Sequence, residues 1–481
     1  MNVSAPLRRN ARLMPEAAAF VRNDATTVSF ARMERTVDAL AHHLQRRGCA
    51  AGRAVAVATS DAERFLFLCL ALARIGVAVA PPGLLDAEVM LFAGDDPAQG
   101  GAAPAAVSLD ELFAEAATPC GEPVPLHADP GAVFAYCASS GTTASRPKIV
   151  PFTHELLYRR LAMRVLAAPT MPGSRHASLV GPTAVFGLQR SLRTLWTGCA
   201  VVEPNLDAER MAEWLVATQV SAISLTPIAL RRMLECLPPS GVQCALALLE
   251  VGAGLLPRSL REWTARVLPG AVLLATYGST ETGGIAASPM AALGDRAGAV
   301  GFPFADVDVD IVDDDERPLP PGHEGRVRVR SAHAATHYHD NAALSAQVFR
   351  DGWVYTNDVG IQDADGALRL MGRADDVINC NGVKVHPQAI EDVLLTLADL
   401  REVAVFGAPD AQGLVVLCAA IVPNRPINAQ AFHERCRARL KGQAPVFIMH
   451  VEALPRNAMG KVLRTELARR ALAAQPSGAS G

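Results

Sequence analysis

Hydrophobic residues recur along this chain in two alternating patterns. Ser29 is a suitable helix N-cap, and the apolar residues after it recur every three or four positions until Gly48, which suits a helix end. Short apolar runs then alternate with helical segments as far as residue 277. The predicted strands are Ala54–Ala58, 77–80, 133–137, 199–202, Ala222–Leu225, 246–251 and 272–277, and further helices are predicted to begin at Asp61, Asp207, Ile228 and Arg258. This alternation is typical of parallel sheets covered by helices.

The pattern changes after Gly284. Two stretches with alternating apolar residues, Val307–Val312 and 325–329, are separated by a turn rich in proline and glycine, which predicts a small antiparallel sheet or barrel. Composition shifts again near Gly372, and the residues beyond it are predicted to form a compact α+β unit joined through a hinge. Residues 93–108 are predicted to be a loop, and residues 477–481 a disordered tail.

Composition and charge exclude several classes of protein. The 481 residues are 50% hydrophobic and carry a formal net charge of -3, so no attraction to nucleic acid or to an anionic membrane is expected. The N-terminus lacks the uninterrupted apolar segment of a secretory signal, and the apolar stretch 65–80 is broken by Arg74 and Gly76, which predicts no membrane span. The ten cysteines form no C-x-x-C pair. These features predict a cytoplasmic protein.

Lysine is rare in this chain, because only four of its 45 basic residues are lysines, at positions 148, 384, 441 and 461. The compact ammonium group of lysine can place a point charge on one oxygen, which the broader guanidinium group of arginine does less well. Lys148 and Lys461 each stand in a short motif. The rarity of lysine alone is a weak signal, so the neighbours of these two residues decide its meaning.

Five segments of the chain stand out as short motifs. They are V-F-A-Y-C-A-S-S-G-T-T-A-S-R-P-K from residue 133, V-L-L-A-T-Y-G-S-T-E-T-G-G-I from 272, D-G-W-V-Y-T-N-D-V-G from 351, G-R-A-D-D-V-I-N-C-N-G-V-K-V-H-P-Q-A-I-E from 372 and P-R-N-A-M-G-K-V-L-R from 455. The first has N–H and O–H donors that could surround phosphate oxygens, although it is not a Walker A loop. The second follows a strand to the sheet edge where α/β proteins bind ligands. The first segment alone is more typical of a polar turn between a strand and a helix, so the five segments are interpreted together.

In this order the segments resemble the adenylate-forming superfamily, which includes acyl-CoA synthetases, amino-acid adenylation domains and firefly luciferase. The resemblance extends from the Ser29 helix to Arg464. It implies an α/β fold with a large N-terminal domain, residues 1–372, made of two helix-covered sheets and a small β-barrel. A small mobile α+β C-terminal domain, residues 373–481, would carry the catalytic lysine.

The resemblance also implies a nucleotide site. The phosphate loop ending at Lys148 would hold the β- and γ-phosphates of ATP, Tyr277 would present a flat face to adenine, and Asp358 would accept the ribose hydroxyls. The complete implied set is Ser139, Ser140, Gly141, Thr142, Thr143, Lys148, Gly252, Ala253, Gly254, Tyr277, Gly278, Ser279, Asp358 and Arg373. The implied catalytic residues are Lys461, Thr280 and Glu281. Glu281 would also bind Mg²⁺, and Lys461 would offset charge in the transition state.

An acyl pocket and a hinge are implied as well. The pocket would be fairly apolar and bordered by Ala184, Phe186, Gly187, Gly254 and Gly284. Amino-acid adenylation domains have an Asp where Gly187 follows Phe186, so an α-amino acid is disfavoured here, because its buried ammonium would lack a partner. The hinge and thiol tunnel would contain Asp375, Asn381 and Gly382. The phosphate loop is one residue longer than usual in the family.

The implied activity is an ATP-dependent acid–thiol ligase. It would convert a small carboxylic acid into acyl-AMP with release of pyrophosphate and then form a thioester with coenzyme A, using ATP, Mg²⁺ and coenzyme A. The alternative is a stand-alone enzyme that loads the acid onto the phosphopantetheine of an acyl carrier protein in trans. A nucleotide-binding protein without turnover is a third hypothesis, which Lys461 and Glu281 disfavour.

Two further clusters of polar residues are more typical of solvated surfaces than of sites. The first could ligate a metal and contains His333, His337, His339 and Asp340, and the second could contact phosphates and contains Arg435, Arg437, Arg439 and Lys441.

Overall fold

The computed structural model describes residues 1–85, 89–101, 103–118, 121–139, 148–167, 170–181, 184–205, 207, 209–254, 256–294, 296–380, 383–410, 414–456 and 462–474. The predicted tail at 477–481 lies outside these residues.

The first helix-covered sheet lies within residues 1–167. The elements of this region are α1 (Ala5–Leu13), β1 (Ala18–Val21), β2 (Thr27–Ser29), α2 (Phe30–Arg46), β3 (Ala54–Ala58), α3 (Ala62–Arg74), β4 (Ala78–Ala80), β5 (Val89–Gly94), β6 (Ala106–Ser108), α4 (Leu109–Glu115), β7 (Val133–Ser139), β8 (Lys148–Thr153) and α5 (His154–Ala167). Six strands form a sheet in the order β6-β5-β3-β4-β7-β8, parallel except for the β7–β8 hairpin.

Helices α2 and α3 of this region begin where the sequence predicts. The side chain of Ser29 accepts a hydrogen bond from the backbone N–H of Arg32, and Asp61 accepts one from Arg64, as N-caps do. The predicted loop at 93–108 is wrong in part, because β6 lies within it and pairs with β5. Strand β6 has three residues, of which only Val107 is buried, so it is too short to produce a visible alternation.

A second, larger sheet contains most of residues 170–373. Its elements are β9 (Arg175–Ser178), α6 (Val185–Trp196), β10 (Ala200–Val202), α7 (Met211–Ala217), β11 (Ala222–Leu225), α8 (Pro227–Glu235), β12 (Leu248–Val251), α9 (Arg258–Val267), β13 (Val272–Ser279), β14 (Gly283–Pro289), α10 (Met290–Leu293), β15 (Ala299–Pro303), β16 (Val307–Val312), β17 (Glu324–Ser331), α11 (Ala342–Val348), β18 (Phe349–Arg350), β19 (Trp353–Gln362) and β20 (Leu368–Arg373). The strand order is β16-β17-β19-β20-β15-β14-β13-β12-β11-β9-β10-β1-β2, with β18 paired to β19.

Strand pairing in this sheet changes from parallel to antiparallel at β13. From β1 to β13 the neighbouring strands β1, β10, β9, β11, β12 and β13 are parallel, whereas β13 to β20 pair in antiparallel fashion. The predicted second sheet and barrel strands are therefore continuous through β14 and β15. The pairing of β13 with β14 is irregular between Tyr277 and Gly278, which lie in one of the five motifs.

The C-terminal region forms a small unit with its own core. Its elements are β21 (Ile378–Cys380), β22 (Val383–Val385), α12 (Pro387–Leu397), β23 (Leu400–Pro409), β24 (Val415–Pro423), α13 (Ala429–Leu440), β25 (Phe447–His450) and α14 (Arg464–Ala474). Strands β23, β24 and β25 form a three-stranded sheet. His386 contacts Glu324 across 2.9 Å, which joins this unit to β17. The domain division at residue 372 stays a prediction.

Helices long and apolar enough to cross a bilayer do not occur in the part of the chain that the structure describes.

Candidate active site

The turn between β13 and β14 carries the residues predicted to be catalytic. The hydroxyls of Ser279 and Thr282 lie 3.1 Å apart, and the backbone N–H of Ser279 donates to Thr282 Oγ1 at 3.0 Å. A Cβ atom on Gly278 would overlap the carbonyl of Gly283, so only glycine fits at this position. The closed turn holds Thr280 and Glu281 at the carboxyl end of β13, which is the ligand-binding edge of a parallel sheet.

Arg160 anchors this turn from α5. Its Nη2 donates to the carbonyl oxygens of Thr280 at 3.0 Å and Glu281 at 3.2 Å, and its Nε donates to the carbonyl of His333 at 2.9 Å. The guanidinium lies over the ring of Phe152, 4.5 Å from its centroid. Arg160 is almost completely buried. Its bonds go to backbone carbonyls, which fixes the path of the turn independently of the side chains of Thr280 and Glu281.

The carboxylate of Glu281 is oriented by a buried tyrosine. Tyr338 donates its hydroxyl hydrogen to Glu281 Oε1 at 2.8 Å. Burial first, and the charge of Glu281 second, raise the pKa of Tyr338 well above its ordinary value, so the hydroxyl stays a donor at neutral pH. The Lys148 ammonium lies 5.8 Å from the centroid of the Tyr338 ring. Tyr338 therefore connects the end of the phosphate loop with the predicted Mg²⁺ ligand.

The side chain of Tyr277 on β13 contacts Asp358 on β19, and Asp358 pairs with Arg373 on β20. The Tyr277 hydroxyl donates to Asp358 Oδ2 at 2.6 Å, and Asp358 on β19 is the register partner of Arg373 on β20. Burial raises the pKa of the Asp358 carboxyl, which the hydrogen bond from Tyr277 and the charge of Arg373 oppose. Arg373 Nε is buried and has no hydrogen-bond partner among the described residues. Such a donor beside a half-buried carboxylate fits a polar ligand such as a nucleotide.

Strand β12 is followed by a tight turn at Gly252, Ala253 and Gly254. Ala253 has a φ of 60°, in the left-handed region that is uncommon for residues with a side chain. A Cβ atom on Gly252 would lie 2.6 Å from Thr276 Oγ1 and 3.1 Å from Phe186 Cε2. Position 252 therefore has no room for a side chain. Gly254 is exposed.

Three of the residues predicted to border the acyl pocket lie at the start of α6, and one of them, Phe186, lies beside Gly252. Ala184 is the N-cap residue of α6, and Phe186 and Gly187 are in its first turn. Gly187 has no room for a side chain, because a Cβ atom would overlap the carbonyl of Gly181. The predicted apolar character applies to Phe186. Beneath it, however, the structure has a buried group of ionised side chains that the sequence analysis does not predict.

That group consists of one carboxylate and three guanidinium groups. Glu250 Oε1 accepts from Arg164 at 2.8 Å and from Arg190 at 2.6 Å, and Oε2 accepts from Arg193 at 3.1 Å and from the hydroxyl of Ser224 at 3.1 Å. Burial acts to raise the pKa of Glu250, but the three guanidinium groups outweigh it and hold the pKa well below its ordinary value. We name these four charged residues the Glu250 cluster.

Several predicted site residues lie outside the described part of the chain. They are Ser140, Gly141, Thr142, Thr143, Asn381, Gly382 and Lys461. Ser139 is buried at the end of β7 and is the register partner of Lys148. Asp375 lies in a short 3-10 turn, Ala374–Asp376, directly after β20. Gly284 faces Met163 and Phe304. The roles assigned to all these residues stay predictions.

The donor set at Glu281 fits a magnesium ion. Glu281 is half-buried, one of its oxygens is held by Tyr338, and Oε2 makes no hydrogen bond to any described residue. A carboxylate oxygen is the kind of hard ligand that Mg²⁺ prefers when phosphates supply others. The histidine group at 333–339 does not form such a site, since no cluster of three potential ligands occurs among the described residues. His333 is buried and contacts the carbonyl of Gly284 at 2.9 Å, so the solvated edge predicted for it is wrong.

Sequence reasoning did not find Arg160, Tyr338 or the Glu250 cluster. Tyr338 stands between His337 and His339, where the histidines draw attention to a metal site instead. Arg160 and Arg164 are four residues apart on α5, so they lie on one helix face. Two arginines on the buried face of a helix are a signal that was available in the sequence.

The helix-covered sheets and the carboxylate, tyrosine and lysine side chains at their carboxyl edge define the class of adenylate-forming enzymes. The sequence profile described as "AMP-binding enzyme" matches residues 7–84 and 85–339, and that of the "AMP-binding enzyme C-terminal domain" matches residues 389–461. The chain belongs to the AMP-binding enzyme family. The predicted family and fold class are confirmed.

Similar proteins are acid–CoA ligases. An indoleacetate–CoA ligase of Aromatoleum aromaticum is 28% identical, with 97% of this chain and 98% of the relative covered. A 2-succinylbenzoate–CoA ligase of Bacillus licheniformis is 29% identical over 77% of this chain and 76% of the relative. The solved structure of an O-succinylbenzoate coenzyme A synthetase from Bacillus subtilis, in complex with ATP and magnesium ion, has a TM-score of 0.86 at 23% identity and covers 96% of this chain and 98% of its own. The predicted enzyme class, an AMP-forming acid–thiol ligase, is confirmed.

Proposed function

We propose that this enzyme uses ATP and Mg²⁺ to convert a carboxylic acid into acyl-AMP and then transfers the acyl group to the thiol of coenzyme A. The names of the relatives and the geometry of the site support this function. The single observation that carries it is the convergence of Tyr277 with Asp358 and its strand neighbour Arg373 on one partly buried polar contact.

In the first step, an oxygen of the substrate carboxylate attacks the α-phosphorus of ATP, and the bond from that phosphorus to pyrophosphate breaks. Asp358 accepts hydrogen bonds from the ribose, and the free Nε of Arg373 donates to ribose or phosphate. Thr280, held by Arg160, presents its hydroxyl to the α-phosphate. A fixed site of this kind lowers the barrier by positioning and by electrostatic stabilisation.

Glu281 would hold a magnesium ion, which when bound neutralises phosphate charge. Tyr338 keeps the Glu281 carboxylate in one orientation, and Lys148 with the phosphate loop contacts the β- and γ-phosphates. Lys461 brings its ammonium to the oxygens that join acid and nucleotide. Removing such a donor typically costs about 3 kcal/mol of barrier, or roughly a hundredfold in rate.

In the second step the sulfur of the thiol attacks the acyl carbon, its proton leaves, and AMP is the leaving group. Rotation of residues 373–481 about Asp375 exchanges Lys461 for the loop with Asn381 and Gly382, which opens a path for the pantetheine arm. Coenzyme A is the acceptor that the relatives favour. The described cysteines are all free thiols, which suits a reducing compartment, and we assign the enzyme to the cytoplasm.

Pyrophosphate exchange with a panel of acids tests this function. With purified enzyme, labelled pyrophosphate should enter ATP only when Mg²⁺ and a suitable acid are present. Addition of coenzyme A should then produce AMP and a thioester, whereas an acyl carrier protein in its place should not. ATP binding without exchange for any acid would contradict the proposed function, and acylation of the carrier alone would replace coenzyme A as the acceptor.

A further inference from the structure

The Glu250 cluster has an excess of buried positive charge. Three guanidinium groups surround one carboxylate, and the side chains of these four residues are between 2% and 8% exposed. No second carboxylate pairs with the three arginines among the described residues. Burial of a charge without a partner is costly, so two positive charges lack a counter-charge in this part of the protein.

Several donors of the cluster are also unused. Arg190 Nε, Arg193 Nε and Arg193 Nη1 are buried and have no hydrogen-bond partner among the described residues. Both arginines line a small cavity between α6 and the sheet, which also borders Ser178, Thr194 and Ser224. It has room for about one water-sized group. Burial lowers the pKa of His176, which borders the same cavity, to about 4, so this imidazole adds no charge at neutral pH. Every charged group around the cavity other than Glu250 therefore favours an anion.

The cluster lies directly beneath the predicted acyl pocket. The Arg190 guanidinium is 4.5 Å from the centroid of Phe186, and Arg164 Nε is 3.5 Å from the position of a Cβ atom on Gly284. Glu250 lies on β12, and Gly252 directly follows the last residue of this strand. The charged cluster therefore lies next to residues that are predicted to border the acyl pocket.

We propose that the acid substrate carries a second anionic group, which the Glu250 cluster binds at the inner end of the acyl pocket. This inference rests on the proposed function of the same site. One oxygen of a terminal carboxylate has the size of a water molecule and can occupy the cavity, where it accepts from Arg190 and Arg193. This arrangement favours dicarboxylic acids, such as adipate or terephthalate, over monocarboxylic acids of the same carbon skeleton.

Matched pairs of acids test the proposal in the exchange assay. The pairs are hexanoate with adipate, octanoate with suberate, and benzoate with terephthalate. A charge-assisted hydrogen bond contributes enough to change affinity roughly 10- to 100-fold. At least one dicarboxylate should therefore exceed its monocarboxylate partner in kcat/KM by about tenfold or more. Equal or better use of the monocarboxylates by the wild-type enzyme would overturn the proposal.

Substitutions in the Glu250 cluster test whether it causes the preference for the dicarboxylate. Arg190→Gln and Arg164→Gln should each reduce the preference for the dicarboxylate about tenfold or more, with kcat/KM for the monocarboxylate lowered less. Arg159→Gln is the matched control. Arg159 is on α5, as Arg164 is, but its side chain is half exposed and pairs with Glu155. Circular dichroism checks that each variant is folded. A preference that survives in both cluster variants would refute the assignment.

A binding measurement separates this inference from the proposed function. Without ATP, adipate should raise the melting temperature of the wild-type protein more than hexanoate does, and Arg190→Gln should abolish the difference. If this result appears while no acid supports exchange, the proposed function fails and the anion site stands. If chloride or phosphate stabilises the protein as much as adipate, the cluster binds a free inorganic ion and the proposed substrate class is wrong.

Discussion

Replacement of Tyr338 by phenylalanine isolates one hydrogen bond in the candidate active site. The ring would keep its contacts with Phe349, at 5.1 Å between centroids, and with Lys148. Only the hydroxyl that donates to Glu281 at 2.8 Å is lost. Tyr338 is 4% exposed, so water cannot easily replace the missing donor.

The expected loss follows from this geometry. A hydrogen bond to a charged group contributes about 1.5–3 kcal/mol, and loss of a residue that orients a metal ligand typically costs about 10- to 100-fold in metal affinity or activity. We therefore expect Tyr338→Phe to lower pyrophosphate exchange about 10- to 100-fold at limiting Mg²⁺. Excess Mg²⁺ should restore much of the rate, because Glu281 remains present but is less well oriented.

The assay is a Mg²⁺ titration of exchange at saturating ATP and acid. Tyr355→Phe is the matched control, since Tyr355 accepts from Arg328 at 3.1 Å in the barrel and has no predicted role in the site. Its Mg²⁺ dependence should equal that of the wild type. If Tyr338→Phe also shows the wild-type dependence, Tyr338 does not position Glu281 for the metal.

Other substitutions test separate parts of the mechanism. Lys461→Ala should lower adenylation about 100-fold or more with little change in the Kd for ATP, and full activity would contradict its role. Gly382→Leu should spare exchange but block thioester formation; equal loss of both steps would count against a thiol tunnel. Because burial raises the pKa of Asp358, its ionisation destabilises the fold as pH rises above the ordinary carboxyl range. The melting temperature of Asp358→Asn minus that of the wild type should therefore be larger at pH 7 than at pH 4. The same variant should lower exchange at least about tenfold. The depressed pKa of Glu250 means that its contribution is present at neutral pH and lost as pH falls. Glu250→Gln should cost about 3–5 kcal/mol at pH 7 in urea unfolding, and the difference from wild type should shrink towards low pH.

Much of the architecture could be predicted because the signals are local. The run Ala54–Ala58, the N-caps Ser29 and Asp61 and the alternation at Val307–Val312 depend only on neighbouring residues, and the structure reproduces each of them. Strand β6 was missed, since three residues with one buried side chain carry too little periodicity. The continuity of the sheet from β13 to β20 was also not predicted, because pairing between distant strands leaves no local pattern.

The candidate site shows the same difference between residues with local sequence signals and residues with long-range contacts. Tyr277, Glu281 and Asp358 stand in motifs and could be found from the sequence, whereas Tyr338 and Glu250 act through contacts with residues far along the chain. Glu250 reads as one polar residue in an apolar run, and its partners lie 57 to 86 positions away. Only the fold reveals that four charges meet beneath Phe186.

Helix α5 carries two of the buried arginines that make these contacts. Arg160 holds the turn of Thr280 and Glu281 by its backbone, and Arg164, one helical turn later, binds Glu250. Residues four apart on a helix are separated by about 6 Å along its axis, and both guanidinium groups are buried, so neither can shift alone. The helix thus fixes the distance between the turn of Thr280 and Glu281 and the carboxylate of Glu250. If the acid carries the second anionic group proposed above, this fixed distance would hold its reacting carboxylate at the α-phosphate only when the acid has the matching length.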